Sequence, residues 1–202
     1  MIETLLDAIR TWSLLELAAV LLAIAYLLLV IRQNILCWPA ALISAAIYLF
    51  IFAAARLYME AALQVFYAAM ALYGWYRWRR GALDAGLLPI RTWRMRQHVI
   101  AVLGIVLLTL GFGSALRMTA AALPFADSFT TVAALVATWM VAQKILQNWW
   151  YWFAIDGVSV YLYVNRELWL TVGLFCLYLL LILVGYRKWR DEYRAQPKTA
   201  AR

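Results

Sequence analysis

Seven apolar stretches separated by short polar breaks leave this chain of 202 residues few ways to fold. A bilayer core of ~30 Å takes about 20 residues of helix per crossing. Seven crossings therefore use most of the chain and leave no room for a separate soluble domain. The spans are expected at 14–32, 37–55, 58–77, 98–116, 128–146, 149–164 and 168–187. Composition points the same way, because 67% of the residues are hydrophobic and only 14% charged. A soluble domain runs nearer to about 45–50% and about 25%, and a globule this small cannot hide the excess from water. The expected class is all-α: a polytopic membrane protein with the lipid bilayer as its main partner.

The breaks between spans carry turn and charge signals. Arg32-Gln33-Asn34 parts the first two helices, and Pro39 suits the first turn of the second, where a missing N–H costs little. Arg56-Leu57-Tyr58 parts the second from the third, Leu123-Pro124-Phe125-Ala126-Asp127 the fourth from the fifth, and Asn165-Arg166-Glu167 the sixth from the seventh. Residues 77–97 form the one substantial loop expected. Glu3 and Asp7 precede the first apolar run, whereas a secretory leader begins basic, so that run reads as a retained span.

Net charge is +8, a value that nucleic-acid binders also reach. Here the basic residues flank apolar runs, and no nucleic-acid partner is expected. Arg77, Arg79, Arg80, Arg91, Arg94 and Arg96 fall in one loop, and Arg187, Lys188, Arg190, Arg194 and Lys198 in the tail. With seven crossings these lie on the same side as Arg32 and Lys144, against scattered Arg10, Arg56, Arg117 and Arg166 opposite. The positive-inside rule then places the N-terminus outside and the C-terminus in the cytoplasm.

The chain also resembles itself. Asn34 and Trp38 match Asn148 and Trp152 at a spacing of 114, while Tyr67, Gly74 and Trp78 match Tyr178, Gly185 and Trp189 at 111. That pattern implies a three-residue shortening within the repeat. Two parallel three-helix repeats, about 14–78 and about 128–189, would be joined by a linking helix at about 98–116. Transporters built on parallel repeats bind near the midplane, so a central site from helices two, three, six and seven is expected.

The stretch 147–156, Gln-Asn-Trp-Trp-Tyr-Trp-Phe-Ala-Ile-Asp, is the richest in chemistry. At 100° per residue, Asn148, Trp149, Trp152 and Asp156 share one helix face, extended by Ser159 and Tyr163. A carboxylate two turns into a membrane helix is costly unless it faces protein or water. Aromatic faces beside it suit a planar, partly cationic ligand; the plainer alternative is an interfacial tryptophan cluster. The second helix offers Asn34, Trp38, Ala41 and Ala45, and the third Gln64 and Tyr67 along with Ala68, Ala71 and Trp75. Gln64 is the strongly polar side chain in the middle of its span, so it needs an internal partner or a ligand. Thr130, Thr131 and Thr138 are weaker candidates, and Gln143 and Lys144 either line an exit or anchor by snorkelling. Cys37, Cys176 and the single His98 have no ligand company, so neither a metal nor a cofactor is expected. With no phosphate loop and no nucleophile beside a base, an enzyme is not expected either.

These residues resemble the PnuC family of bacterial nicotinamide riboside transporters. The N-W-x-x-W-x-x-x-D pattern of Asn148, Trp149, Trp152 and Asp156 carries the resemblance most strongly. Gln143-Lys144 before it, the 185–189 ending, Gln33-Asn34 with Cys37-Trp38-Pro39, and the 73–78 exit add to it. It runs from about Trp12 to Trp189. The resemblance implies a 3+1+3 fold like a full-length SWEET, a homotrimer in the inner membrane, and facilitated diffusion with cytoplasmic phosphorylation trapping the vitamin. It also implies a small-molecule substrate, nicotinamide riboside first and thiamine next, since relatives carry thiamine or riboflavin. The alternative from another class is a non-transporting membrane scaffold, which predicts a polar stripe closed by helix packing.

Overall fold

The computed structural model describes residues 14–54, 56, 58–85, 88–117 and 123–197. Glu3, Asp7, Arg10, Trp12, Leu57 and Lys198 lie outside them. Seven helices run through the described residues: α1 Leu14–Ile31, α2 Cys37–Ala54, α3 Tyr58–Ala85, α4 Met95–Leu116, α5 Pro124–Ala142, α6 Asn148–Asn165 and α7 Trp169–Ala195. They form two compact units that divide between Leu88 and Pro89.

In the first unit α2 packs against both α1 and α3. The Ser44 hydroxyl donates to the carbonyl of Ala19 at 3.1 Å, giving a buried polar side chain of α2 an acceptor on α1. In the second unit α4 packs on α5, α5 on α6 and α6 on α7. Its apolar centre is Ile105, Val132, Ala133, Ala134, Ala137 and Ile155, with Phe129 and Trp152 against it. Leu103, Leu107, Leu110 and Phe112 of α4 are exposed, as they are in a helix whose solvent is lipid.

Four of the seven helices, α2, α4, α5 and α7, are long and apolar enough by themselves to cross a membrane. Leu17–Ile31 of α1 is apolar but shorter. The other two, α3 and α6, carry Gln64 and Asp156. Polar residues that give a span its chemistry also lower its hydropathy.

The repeat is tighter than the sequence suggests. Helices α5, α6 and α7 of the second unit match α1, α2 and α3 at a single offset of 111, with α2 and α6 both 18 residues long. The turns agree bond by bond. Gln33 N–H donates to Val30 and Asn34 N–H to Leu29, both at 2.9 Å; Lys144 N–H donates to Val141 and Ile145 N–H to Met140, also at 2.9 Å. Among the described residues the four non-glycine positions with positive φ are Gln33 (51°), Arg56 (59°), Lys144 (52°) and Glu167 (57°), two pairs at the same offset. The expected 114 spacing with its three-residue shortening is therefore incorrect. Trp38 corresponds to Trp149, not Trp152.

A left-handed residue ends each of these helices by freeing the last carbonyls for the turn, at a steric cost of about 1–2 kcal/mol for an L-residue. Glu167→Val, which adds β-branching there, is expected to lower stability by roughly that amount again, whereas Glu167→Asn is tolerated. Thermal unfolding in detergent, comparing the two variants, checks this.

Two boundaries differ from expectation. Residues 124–127 belong to α5, with Pro124 in its first turn, and the helix stops at Ala142 because Lys144 turns left-handed. Lys144 is only 2% exposed, so it is neither a helix residue nor a snorkelling anchor. The expected long loop is also largely absent. Helix α3 runs on to Ala85, and residues 89–94 form an extended strap bound within the second unit. Arg91 N–H donates to the carbonyl of Lys144 at 2.9 Å, and Leu146 N–H to that of Arg91 at 2.8 Å. The Gln147 amide closes on both backbone groups of Trp93, at 3.1 and 3.3 Å. With its oxygen toward the Ile90 N–H and its nitrogen toward the Ile90 carbonyl, Gln196 does the same at 3.0 and 3.1 Å.

Candidate functional site

The eight candidate residues divide equally: Asn34, Trp38, Gln64 and Tyr67 in the first unit, Asn148, Trp149, Trp152 and Asp156 in the second.

In the first unit Trp38 opens α2 and is 1% exposed. Its ring meets Trp78 of α3 edge to face, with centroids 5.4 Å apart and planes at 88°. A Cβ on Gly74 would fall within that ring, so the absence of a side chain there is what lets α3 approach. Asn34 stands in the preceding turn, exposed, and its Oδ1 accepts from the Leu36 N–H at 2.9 Å. Its side chain thus caps the turn before α2 and does not continue the helical stripe. Gln64 and Tyr67 are both half-buried, one turn apart on α3.

The second unit repeats the clasp. Trp149 is 1% exposed and meets Trp189 edge to face at 5.5 Å and 88°, with Gly185 beneath its ring. The indole Nε1 atoms of both Trp38 and Trp149 are buried with no hydrogen-bond partner among the described residues.

Along α6, Asn148, Asp156 and Ser159 lie on one buried side at 0%, 5% and 6% exposure. The Asn148 Nδ2 donates to the Ile145 carbonyl at 2.6 Å. Its Oδ1 is buried and has no partner among the described residues. A buried acceptor left open costs about 1–3 kcal/mol, unlike one facing water. Trp152, half-buried, packs beside the apolar centre. The arrangement therefore offers one carboxyl, one open amide oxygen and an indole along two turns. Such a set can hold a planar ligand by its face and a cation or N–H by its edge.

Lys144, expected to line an exit or to snorkel, is buried in the turn that precedes Asn148. The sequence reading missed one ion pair. Asp127 and Arg166 pair at 3.0 Å between the start of α5 and the end of α6. The opposite charges in two short connections were the only signal for that pair.

Comparison with known proteins agrees with the fold. Residues 13–191 match the family model described as nicotinamide mononucleotide transporter. The riboflavin/roseoflavin transporter RibM of Streptomyces davaonensis is 29% identical over 191 residues, covering 92% of this chain and 87% of that protein. The nicotinamide riboside transporter PnuC of Escherichia coli is 25% identical over 186 residues, covering 79% and 77%. A crystal structure of the vitamin B3 transporter PnuC superposes with a TM-score of 0.74 at 20% identity, covering 97% of this chain and 88% of that one. It shares the all-helical fold.

Proposed function

Since the chain belongs to the nicotinamide mononucleotide transporter family, whose members are transporters and not enzymes, we propose that it imports nicotinamide riboside by facilitated diffusion. It is a multi-pass bacterial membrane protein. The proposed orientation keeps the Arg-rich segment 77–96 and the tail in the cytoplasm and the N-terminus outside. Phosphorylation of the vitamin after entry would make a passive carrier accumulative. A homotrimer is proposed on the family resemblance alone.

The observation that carries the substrate reading is Asp156, a carboxyl at 5% exposure beside tryptophan in a membrane helix. Nicotinamide riboside brings a cationic pyridinium ring that such a carboxylate neutralises and an indole stacks upon. Trp152, Asn148 and Asp156 are the proposed substrate contacts in the second unit, and Gln64 and Tyr67 those in the first. Trp38 and Trp149 serve the site as frame, and Asn34 as a cap.

A second reading has its own support, because RibM is named as a riboflavin transporter and matches nearly the whole chain. Riboflavin would stack on the same indoles, but its neutral ring gives Asp156 no charge to meet. Thiamine is cationic and would meet it. Calorimetry on the purified protein with all three vitamins separates these readings. Nicotinamide riboside is expected to bind most tightly, with Trp152→Ala weakening it about tenfold. Tighter binding of riboflavin or thiamine would replace the substrate and keep the carrier; binding of none would leave the scaffold reading.

A further inference from the structure

Asn148 holds one end of its amide in place and leaves the other open. Its Nδ2 donates to the Ile145 carbonyl at 2.6 Å, while Oδ1 is buried with no partner among the described residues. The Ile145 carbonyl therefore decides where that oxygen points. It belongs to the same planar peptide as the Leu146 N–H, and this N–H donates to the Arg91 carbonyl of the strap at 2.8 Å. Arg91 also gives its own N–H to the Lys144 carbonyl at 2.9 Å. The peptides on both sides of Ile145 are thus tied to the strap.

Gln147, next to Asn148, secures the strap further along. Its Oε1 accepts from the Trp93 N–H at 3.1 Å and its Nε2 donates to the Trp93 carbonyl at 3.3 Å. The Trp93 ring in turn lies against Trp139 near the end of α5 and Tyr151 near the start of α6, with centroids 5.9 and 6.4 Å away. The same turn in the first unit is largely uncovered. There the Cys37 N–H donates to the Asn34 carbonyl at 3.0 Å, as the Asn148 N–H does to that of Ile145 at 3.1 Å. Yet Arg32, Asn34 and Leu36 are exposed, whereas Lys144, Ile145 and Leu146 are buried. The turn itself does not need a strap. At the offset of 111, Leu36 stands where Gln147 does and Cys37 where Asn148 does. The unit without a gripping amide is also the unit without an amide to aim.

We propose that Gln147 is a positioning residue for transport: by gripping the strap it fixes the Ile145–Leu146 peptide and so presents Asn148 Oδ1 as a fixed acceptor for an N–H or O–H of the solute. This rests on Asn148 being a substrate contact. An acceptor already held in place costs the solute less ordering on binding. A solute without a matching donor leaves that buried oxygen unpaired and is rejected.

Calorimetry on the full chain, with whichever of nicotinamide riboside, thiamine and riboflavin binds the wild type most tightly, tests this in a double-variant cycle of Gln147→Leu and Asn148→Ala. Leucine already occupies the matching position in the first unit, so the turn is expected to fold with it. Gln147→Leu should weaken binding about threefold to tenfold, the effect of one hydrogen bond. Added to Asn148→Ala it should weaken binding no further, because its effect passes through that amide. A structural role alone would give losses that multiply. Amide hydrogen exchange, read without any vitamin, should quicken over 144–148 in Gln147→Leu and stay at the wild-type rate over 33–37. Unchanged exchange over 144–148, undiminished binding by Gln147→Leu, or multiplying losses in the double variant would each overturn the proposal while leaving the vitamin reading intact. A wild-type protein that binds none of the three would remove that reading, and the positioning role with it.

Discussion

Replacing Gly185 by leucine is expected to prevent stable folding of the second unit, with little protein surviving extraction from the membrane. A Cβ at this position alone falls within the Trp149 ring, before any further atoms are added. The ring has nowhere to go, because Trp149 is 1% exposed and Trp189 closes its other side at 5.5 Å. Overpacking a core costs typically about 1–3 kcal/mol when neighbours can shift, and more when the neighbour is a buried indole wedged between two helices. Against a total stability of about 5–15 kcal/mol, such a loss is decisive. Gly74→Leu should act alike on Trp38 in the first unit. The check is fluorescence-detected size exclusion of each variant, with Trp149→Ala added to Gly185→Leu. Recovery of monodisperse protein in the double variant would show steric coupling through that ring. A Gly185→Leu protein as stable as wild type would mean that the clasp is loose.

Asp156→Asn is expected to reduce nicotinamide riboside uptake by at least about tenfold while leaving membrane expression unchanged. The substitution keeps size and shape and removes only the charge. For a cationic substrate, truncating one partner of a buried charge pair costs about 2–5 kcal/mol, and each 1.4 kcal/mol is a factor of ten. Trp152→Ala should fall in the same range through lost stacking, and Asn148→Ala somewhat less. Radiolabelled uptake normalised to protein in the membrane measures all three. Uptake that falls only as protein falls would reduce these residues to packing. Full activity in Asp156→Asn would remove the reason for preferring a cationic vitamin over a flavin.

What could be read from the sequence follows the physics of each signal. Apolar length exposed the seven helices, because lipid enforces it residue by residue. The burial of Asp156 was legible from its depth in α6. The end of α5 was not, since a left-handed lysine at 144 carries none of the signal that glycine or asparagine would. The repeat was visible but misregistered. In the run Trp149-Trp150-Tyr151-Trp152 three indoles compete for the match to Trp38, and the paired asparagines favoured the wrong one. The backbone turns, Gln33 with Lys144 and Arg56 with Glu167, extend to this end of the repeat the offset of 111 that Gly74 and Gly185 already carried. The strap at 89–94 is held largely through main-chain bonds between Arg91 and residues 144 and 146, which leave no trace in side-chain identity. The role of Asn34 was misjudged for a local reason: as a cap for Leu36 it sits before the helix and not along it.

The two tryptophan clasps bear on how a chain of this kind can move. Helices α2 and α3 are joined by a tight turn at Arg56 and fastened again, near the other end, where Trp38 meets Gly74 and Trp78. Helices α6 and α7 are joined at Glu167 and fastened where Trp149 meets Gly185 and Trp189. Each pair is thus riveted at both ends, like two rails of a ladder, and cannot splay without breaking an indole contact. Motion that admits a solute must leave these ladders intact and fall on their neighbours α1 and α5, which pack against α2 and α6 but, among the described residues, carry no such tryptophan clasp to them.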